Sequence, residues 1–426
     1  MERISPIDAA TLALSVHGEQ PYLITLAGVL GAGGFVDRAG RPVVGRLRAT
    51  LARRIAAIPV LTHRPVRRGA DWWWEPHAPD LAAHVRVIDP ESAARGLEAV
   101  CADLLMQPLP VDRPLWEIVL VPGLGRRRCG LVMRFHHVIA DGIHAVGLVE
   151  QVFDPPRRAA ASAAAAFAAP ASASSSSPGA PTRRAATVTV SWAMLAWYRL
   201  RMFLRPWIRS RVLLGPLGPH RDVAGTSIDL EALRRGAHAA GGTVGDAYLA
   251  AVGRGLRRVL AAGGEDAPRR ITVSAPVGLA TREGQRNSVG VMLVDVPLRT
   301  SLEATVAAVA GRTRRAKPIA RIAGIMIRSP RAARGFDAFA RRQRLIAAVA
   351  SNVPGPRRRL SLDRAPLIEL LPLSPLAGNV RIGVTAASYD GRLWVGVVTA
   401  AGPIAPAAEV ASAIGRALDE LAHRGG

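Results

Sequence analysis

Two periods of hydrophobicity alternate along this chain of 426 residues, and the switches between them mark its elements. Leu131 to Phe135 is apolar except for Arg134 and reads as a strand. Ile143, Val146, Val149 and Phe153 then recur at helical spacing, so a strand–turn–helix unit is predicted there. Longer helical patterns cover 244–260 and 305–315. Residues 382–387 and 393–399 flank Asp390-Gly391, which predicts a hairpin near the C-terminus. In the run Trp72-Trp73-Trp74 neighbouring side chains of a strand face opposite ways, so at least one belongs in a core. Strands mixed with helices and closed by a hairpin argue for α+β, mixed sheets flanked by helices, rather than a doubly wound fold.

The pattern fails once, and completely. From Pro155 to about Thr187 the chain is almost only Ala, Ser, Pro and Arg, which can bury little. We read 155–190 as a linker between an N-terminal domain, 1–154, and a C-terminal domain, 191–426. A chain this long supports two such cores. Behind the linker, Trp192, Leu200, Phe203 and Trp207 share one side of a helical wheel, and Arg201, Arg205 and Arg209 another. Pro206 should kink or end that helix. A basic, Trp-bearing helix suits a membrane interface, and it suits packing on the core equally well.

Composition narrows the function classes. The net charge of +24 invites a nucleic-acid reading, but the arginines are scattered and Lys317 is the sole lysine. Solvated surface arginine is the plainer reading, with a weak pull on anionic lipid or acyl-CoA phosphates. That lysine precedes Pro318, which excludes a P-loop. The glycine-rich run Gly28 to Gly34 does not complete a dinucleotide fingerprint and reads as a plain loop, and no Gly-x-Ser-x-Gly elbow is present. Cys101 and Cys129 lack metal or redox spacing and read as buried thiols in a reducing compartment. No run of ~20 apolar residues predicts a membrane span, and the N-terminus lacks a signal-peptide pattern.

The chemistry concentrates at His136-His137-Val138-Ile139-Ala140-Asp141-Gly142, between the strand and the helix. An imidazole with fixed tautomer, shielded from bulk water, can take a proton from a hydroxyl. Two plainer readings compete. Asp141 suits a helix N-cap with Gly142 serving the turn, and His136, His137, Asp141 and His144 have spacing that a metal would accept.

The surrounding residues resemble the bacterial wax ester synthase/diacylglycerol acyltransferase family along nearly the whole chain. The matching blocks run in order from Ser5-Pro6-Ile7-Asp8-Ala9-Ala10 through Asp80-Leu81 and His84-Val85-Arg86. Asp112-Arg113-Pro114-Leu115-Trp116-Glu117 follows about twenty residues before the histidines. Thr243 to Ala250, Ser351-Asn352-Val353-Pro354-Gly355-Pro356, Pro372 to Pro375 and Ser388-Tyr389-Asp390-Gly391 complete the set. One position departs: the family carries asparagine before the aspartate where this chain has Gly245-Asp246.

The resemblance implies two chloramphenicol-acetyltransferase-like domains with the active site in a tunnel between them. It implies transfer of a fatty acyl group from acyl-CoA, a co-substrate with no further cofactor and no metal, to diacylglycerol or a fatty alcohol. His137 is then the general base, with His136, Asp141 and Gly142 completing its motif. Asp141 is implied to hold the loop through an ion pair with an arginine, Arg282 being our first choice. Pro114, Leu115, Trp116, Asp246 and Asn352 are substrate-binding or structural, Asn352 being a candidate oxyanion donor. The implied setting is cytoplasmic, peripheral to the inner face of a membrane or to lipid droplets, without nucleic acid. Two rivals share the motif: a condensation or acetyltransferase relative using another thioester, and a non-catalytic lipid-binding homologue.

Overall fold

Fifteen strands carry the described part of the chain. In the first half they are β1 (Glu2–Arg3), β2 (Leu23–Leu30), β3 (His63–Arg68), β4 (Asp71–Pro76), β5 (Val85–Val87), β6 (Trp116–Val121) and β7 (Cys129–His136). In the second they are β8 (Arg221–Asp229), β9 (Arg270–Gly278), β10 (Val289–Pro297), β11 (Ala348–Val353), β12 (Ser361–Leu362), β13 (Ala365–Leu373), β14 (Ile382–Tyr389) and β15 (Arg392–Ala400). The computed structural model describes residues 2–17, 20–69, 71–125, 127–155, 207–278, 289–320 and 330–424. Nearly all of the expected linker, residues 192–206 of the amphipathic stretch, and Arg282 lie outside the described residues.

Two six-stranded sheets dominate, ordered β12-β13-β2-β7-β6-β5 and β10-β9-β11-β14-β15-β8, beside a small sheet β1-β4-β3. Both large sheets are mixed. In the first only β5 and β6 run parallel, and in the second β11 runs parallel to both β9 and β14. The alternation on β7 divides its side chains between two cores. Leu131, Met133 and Phe135 pack with Leu47, Leu51 and Ile55 of the helix Val44–Ile55 and with Val149 and Val152 of the helix Gly142–Val152. Val132 packs the other way, with Val100, Cys101 and Leu104 of the helix Leu97–Met106. Arg134, the polar break in the strand, is buried there; its Nε donates to Glu117 at 3.0 Å and one Nη to the Gln107 carbonyl at 2.7 Å. Both cysteines are free and buried.

The expected α+β fold with mixed, helix-flanked sheets is what the structure shows. The helices expected over 244–260 and 305–315 extend over Val244–Ala262 and Leu302–Ala320. The hairpin forms between β14 and β15, with Asp390 and Gly391 both at positive φ (46° and 75°), as a tight hairpin turn requires. Trp74 is core, whereas Trp72 and Trp73 are half-buried.

One expectation needs correction. The glycine run does not start as a loop, because Gly28 lies inside β2, where a Cβ would overlap the Glu369 carbonyl of β13. Past Pro206, where the helix is expected to kink or end, residues 207–214 are irregular. The backbone N–H groups of Arg211 and Val212 donate to Glu265 Oε1 at 2.8 and 3.1 Å, and the Leu213 carbonyl accepts from Arg381 N. Tertiary partners there replace the helical ladder.

The first sheet is completed from the second half of the chain. β13 pairs with β2 while lying across β15 and β8. Gly225 admits the Leu371 side chain, and Gly396 admits the Pro372 carbonyl so closely that a Cβ would overlap it. Gly396→Ala should therefore lower unfolding stability by about 1–3 kcal/mol in urea titrations, an overpacking cost. Gly311→Ala, at a helical position where a Cβ meets nothing within 4 Å, should be neutral or stabilising.

Candidate active site

The end of β7 is clamped from both sides. His136 N donates to the Leu115 carbonyl at 3.0 Å and His137 N to the Tyr22 carbonyl at 2.8 Å, so both neighbouring segments fix where the histidines leave the sheet. The His136 ring is buried with both nitrogens engaged. Val138 N–H donates to Nδ1 at 3.1 Å, which requires the proton on Nε2, 2.8 Å from Ser15 Oγ. Burial, and secondarily the neighbouring His137, push its pKa from 6.5 down to about 3, so the ring stays neutral. His137 is only half-buried. The paired histidines are thus unequal: one ring is buried and bonded at both nitrogens, and the other histidine is half-buried.

Asp141 is the N-cap of the following helix. Its Oδ1 accepts from Ile143 N and His144 N, each at 3.0 Å, and from His144 Nδ1 at 2.9 Å. The capping reading weighed above is the one its geometry supports. Among the described residues His144 is an ionic partner of Asp141, which raises its pKa; Arg282 lies outside them. The four-residue metal reading finds no geometric support: among the described residues no three His, Cys, Asp or Glu side chains group to hold an ion.

The second sheet closes on this unit. A Cβ on Gly142 would lie 3.1 Å from Val353, at the C-terminal end of β11, and one on Gly278, ending β9, would lie 2.5 Å from the Ile143 side chain. Asn352 is exposed beside Val353. Its Nδ2 would lie 3.4 Å from a Cβ at position 245, so the departure to glycine removes a side chain that would meet this amide. The turn after the histidines therefore meets the second sheet in a seam at Gly142 and Val353, while the neighbouring Asn352 faces Gly245.

The other anticipated residues stand behind it. Asp246 is buried in a capping box with Thr243 and accepts from Thr313 Oγ1 at 2.6 Å. Trp116 is buried, stacks on His84 at 4.3 Å and donates from Nε1 to the Leu61 carbonyl at 2.9 Å. Pro114-Leu115-Trp116 thus acts through the Leu115 carbonyl, which pins the histidine strand. A cavity of about 500 Å³ opens elsewhere between the sheets, bordered by Gly28, Glu98, Gly225, Leu371 and Trp394. Sequence reasoning missed Ser15 and Tyr22. Nothing local flags them, because their role exists only once the helix Pro6–His17 docks beside β7.

This arrangement is the two-sheet architecture of acyl-transferring and condensing enzymes. A solved wax ester synthase/diacylglycerol acyltransferase from Marinobacter aquaeolei VT8 superposes with a TM-score of 0.72 at 20% identity, covering 100% of both chains. The first condensation domain of the calcium-dependent antibiotic synthetase gives 0.64 at 17% identity, covering 99% of this chain and 96% of that one. A probable diacylglycerol O-acyltransferase of Mycobacterium tuberculosis is 28% identical over 383 residues, 84% of this chain and 82% of the relative. The profile of the wax ester synthase/diacylglycerol acyltransferase catalytic domain matches residues 5–248, and that of the family's C-terminal domain matches 286–422. The chain belongs to the wax ester synthase/diacylglycerol acyltransferase family and is an O-acyltransferase by class.

Two outcomes test the site's construction. Asp141→Ala should lose about 2 kcal/mol in urea unfolding at neutral pH, and Asp141→Asn, which can still cap, roughly half of that. His136 should also make stability depend on pH. Its folded pKa lies below its unfolded value, so its contribution is complete above pH 6.5 and is lost on acidification towards about 3. The slope is about 1.4 kcal/mol per pH unit and should flatten in His136→Asn. His144 works with the opposite sign, favouring the fold below pH 6.5 and losing that contribution as pH rises through its raised pKa. Its side chain is 40% exposed, so this term is small.

Proposed function

We propose that this enzyme transfers a long-chain fatty acyl group from coenzyme A to the hydroxyl of diacylglycerol or a fatty alcohol, giving triacylglycerol or wax ester, with His137 as general base. One observation carries this reading: a half-buried histidine, its backbone anchored on the Tyr22 carbonyl, sits beside a histidine whose ring nitrogens are both engaged. His137 takes the acceptor's proton, and the alkoxide oxygen attacks the thioester carbonyl. The tetrahedral intermediate collapses by breaking the C–S bond, and the imidazolium returns the proton to the departing thiolate. Asn352 is the candidate donor to the oxyanion, because it is exposed and adjoins Val353, which meets Gly142.

A thioester is already activated, so positioning and one base suffice, with acyl-CoA as co-substrate and no bound cofactor. Both substrates would meet at this seam through a tunnel between the domains. Their lipid nature favours a cytoplasmic enzyme resting on the inner face of a membrane or on lipid droplets. No helix among the described residues is long and apolar enough to cross a bilayer.

Coenzyme A release from palmitoyl-CoA, followed with a thiol reagent, tests the proposal. Release should require diacylglycerol or hexadecanol, with ester seen by thin-layer chromatography. His137→Ala should reduce it by about 10²–10⁴-fold without unfolding the protein. Acceptor-independent rates, or a variant as active as wild type, would refute the assignment.

A further inference from the structure

Among the described residues the large exposed hydrophobics are Val43, Ile143, Trp207, Phe336 and Phe339, and three of the five belong to one neighbourhood. Phe336 and Phe339 lie three apart on the helix Pro330–Ala340, so they share a face, and they are 42% and 46% exposed. Trp207, 65% exposed, joins the foot of this helix, because Ile208 N donates to the Arg344 carbonyl at 2.8 Å. Elsewhere amphipathic helices hide such residues. In the C-terminal helix Ala407–His423, Val410, Ile414, Leu418 and Leu421 are all buried.

The helix is nevertheless firmly seated. Asn379 N donates to the Ala340 carbonyl at 3.1 Å. The Asn379 side chain exchanges hydrogen bonds with Gln343, accepting from Nε2 at 2.7 Å and donating to the carbonyl at 2.9 Å. Gly378, at φ 64°, lets its own backbone approach the Ala340 carbonyl where a Cβ would come within 2.5 Å. Its inner face packs on the helix Pro6–His17, which carries Ser15. Asp337 and Arg341, paired at 2.7 Å, lie near enough to Tyr22 to influence its hydroxyl. Ser15 holds His136 and the Tyr22 carbonyl holds His137, so the exposed phenylalanines ride on an element adjoining the catalytic turn.

The charge around this helix says what should cover it. Arg331, Arg334, Arg342 and Arg344 are exposed and have no carboxylate partner among the described residues. Aromatic side chains among unpaired arginines suit a surface that offers apolar depth beneath negative headgroups. A protein partner would need acidic residues with a matching apolar pocket, and a second copy would oppose arginine to arginine.

We propose that the helix Pro330–Ala340 is the membrane-docking element of this enzyme, with Phe336 and Phe339 entering an anionic phospholipid surface and the arginines binding its headgroups. This deepens the lipid-substrate reading, on which it rests, by saying which face meets the lipid: the face beside the histidines. Diacylglycerol or a fatty alcohol held in the bilayer would then reach the seam without crossing water.

Flotation of the full chain with vesicles tests it. Wild type should float with equal parts phosphatidylglycerol and phosphatidylcholine, and at least about tenfold less with phosphatidylcholine alone. Phe336→Ser/Phe339→Ser should float about tenfold less on the anionic vesicles and lose rate on vesicle-borne diacylglycerol, while keeping wild-type coenzyme A release from octanoyl-CoA with hexanol. Arg331→Gln/Arg334→Gln should weaken anionic binding and leave the melting temperature unchanged. Equal flotation of the phenylalanine variant and wild type would overturn the proposal, as would a wild type that stays at the bottom of the gradient. A variant that floats normally but sediments as a smaller species would make the face a self-association surface instead. If flotation follows the expected pattern while octanoyl transfer is absent in every protein, the docking face stands and the acyl-transfer reading falls.

Discussion

The site depends on where β7 stops. Its last residues are held by the Leu115 carbonyl on one side and the Tyr22 carbonyl on the other, so the turn that follows starts from a fixed point in a central strand. A shift of register by one residue would exchange the faces of every side chain on the strand. Arg134 would leave its buried carboxylate, and His136 would lose Ser15. The pairing that holds the core together is thus the pairing that places the imidazoles, and function is inseparable here from strand register.

Beyond that point the structure separates roles that the motif presents side by side. His136 completes the fold, Asp141 caps a helix, and Gly142 makes room for Val353. These three spend their hydrogen bonds or their volume on architecture. His137 differs from them in being half-buried, which suits the role proposed for it. The second sheet contributes strand ends to the seam at Gly142, and β13 crossing between the halves keeps the two sheets in a fixed relation.

The parts legible in the sequence were those encoded by local periodicity or by ordered motifs. The strand–turn–helix around the histidines, the long helices and the Asp390-Gly391 hairpin all announce themselves within a dozen residues. What stayed hidden was long-range. Nothing near Gly28 says that a strand more than three hundred residues later will press against it. Nothing near Ser15 or Tyr22 says that they meet the histidines. The helix break at Pro206 could be read locally, whereas the Glu265 and Arg381 partners that hold 211–213 could not. The motif Pro114-Leu115-Trp116 could be recognised, but its work, offering a carbonyl to His136, needed coordinates.

Nitrogen NMR of the imidazole rings reads the division of labour between the two histidines. Spectra of ¹⁵N-histidine protein, assigned with His136→Asn and His137→Asn, would be followed from neutral pH to about 4. His136 should keep a neutral ring protonated on Nε2 throughout that range. A His136 that titrates near 6.5, or that carries its proton on Nδ1, would contradict it.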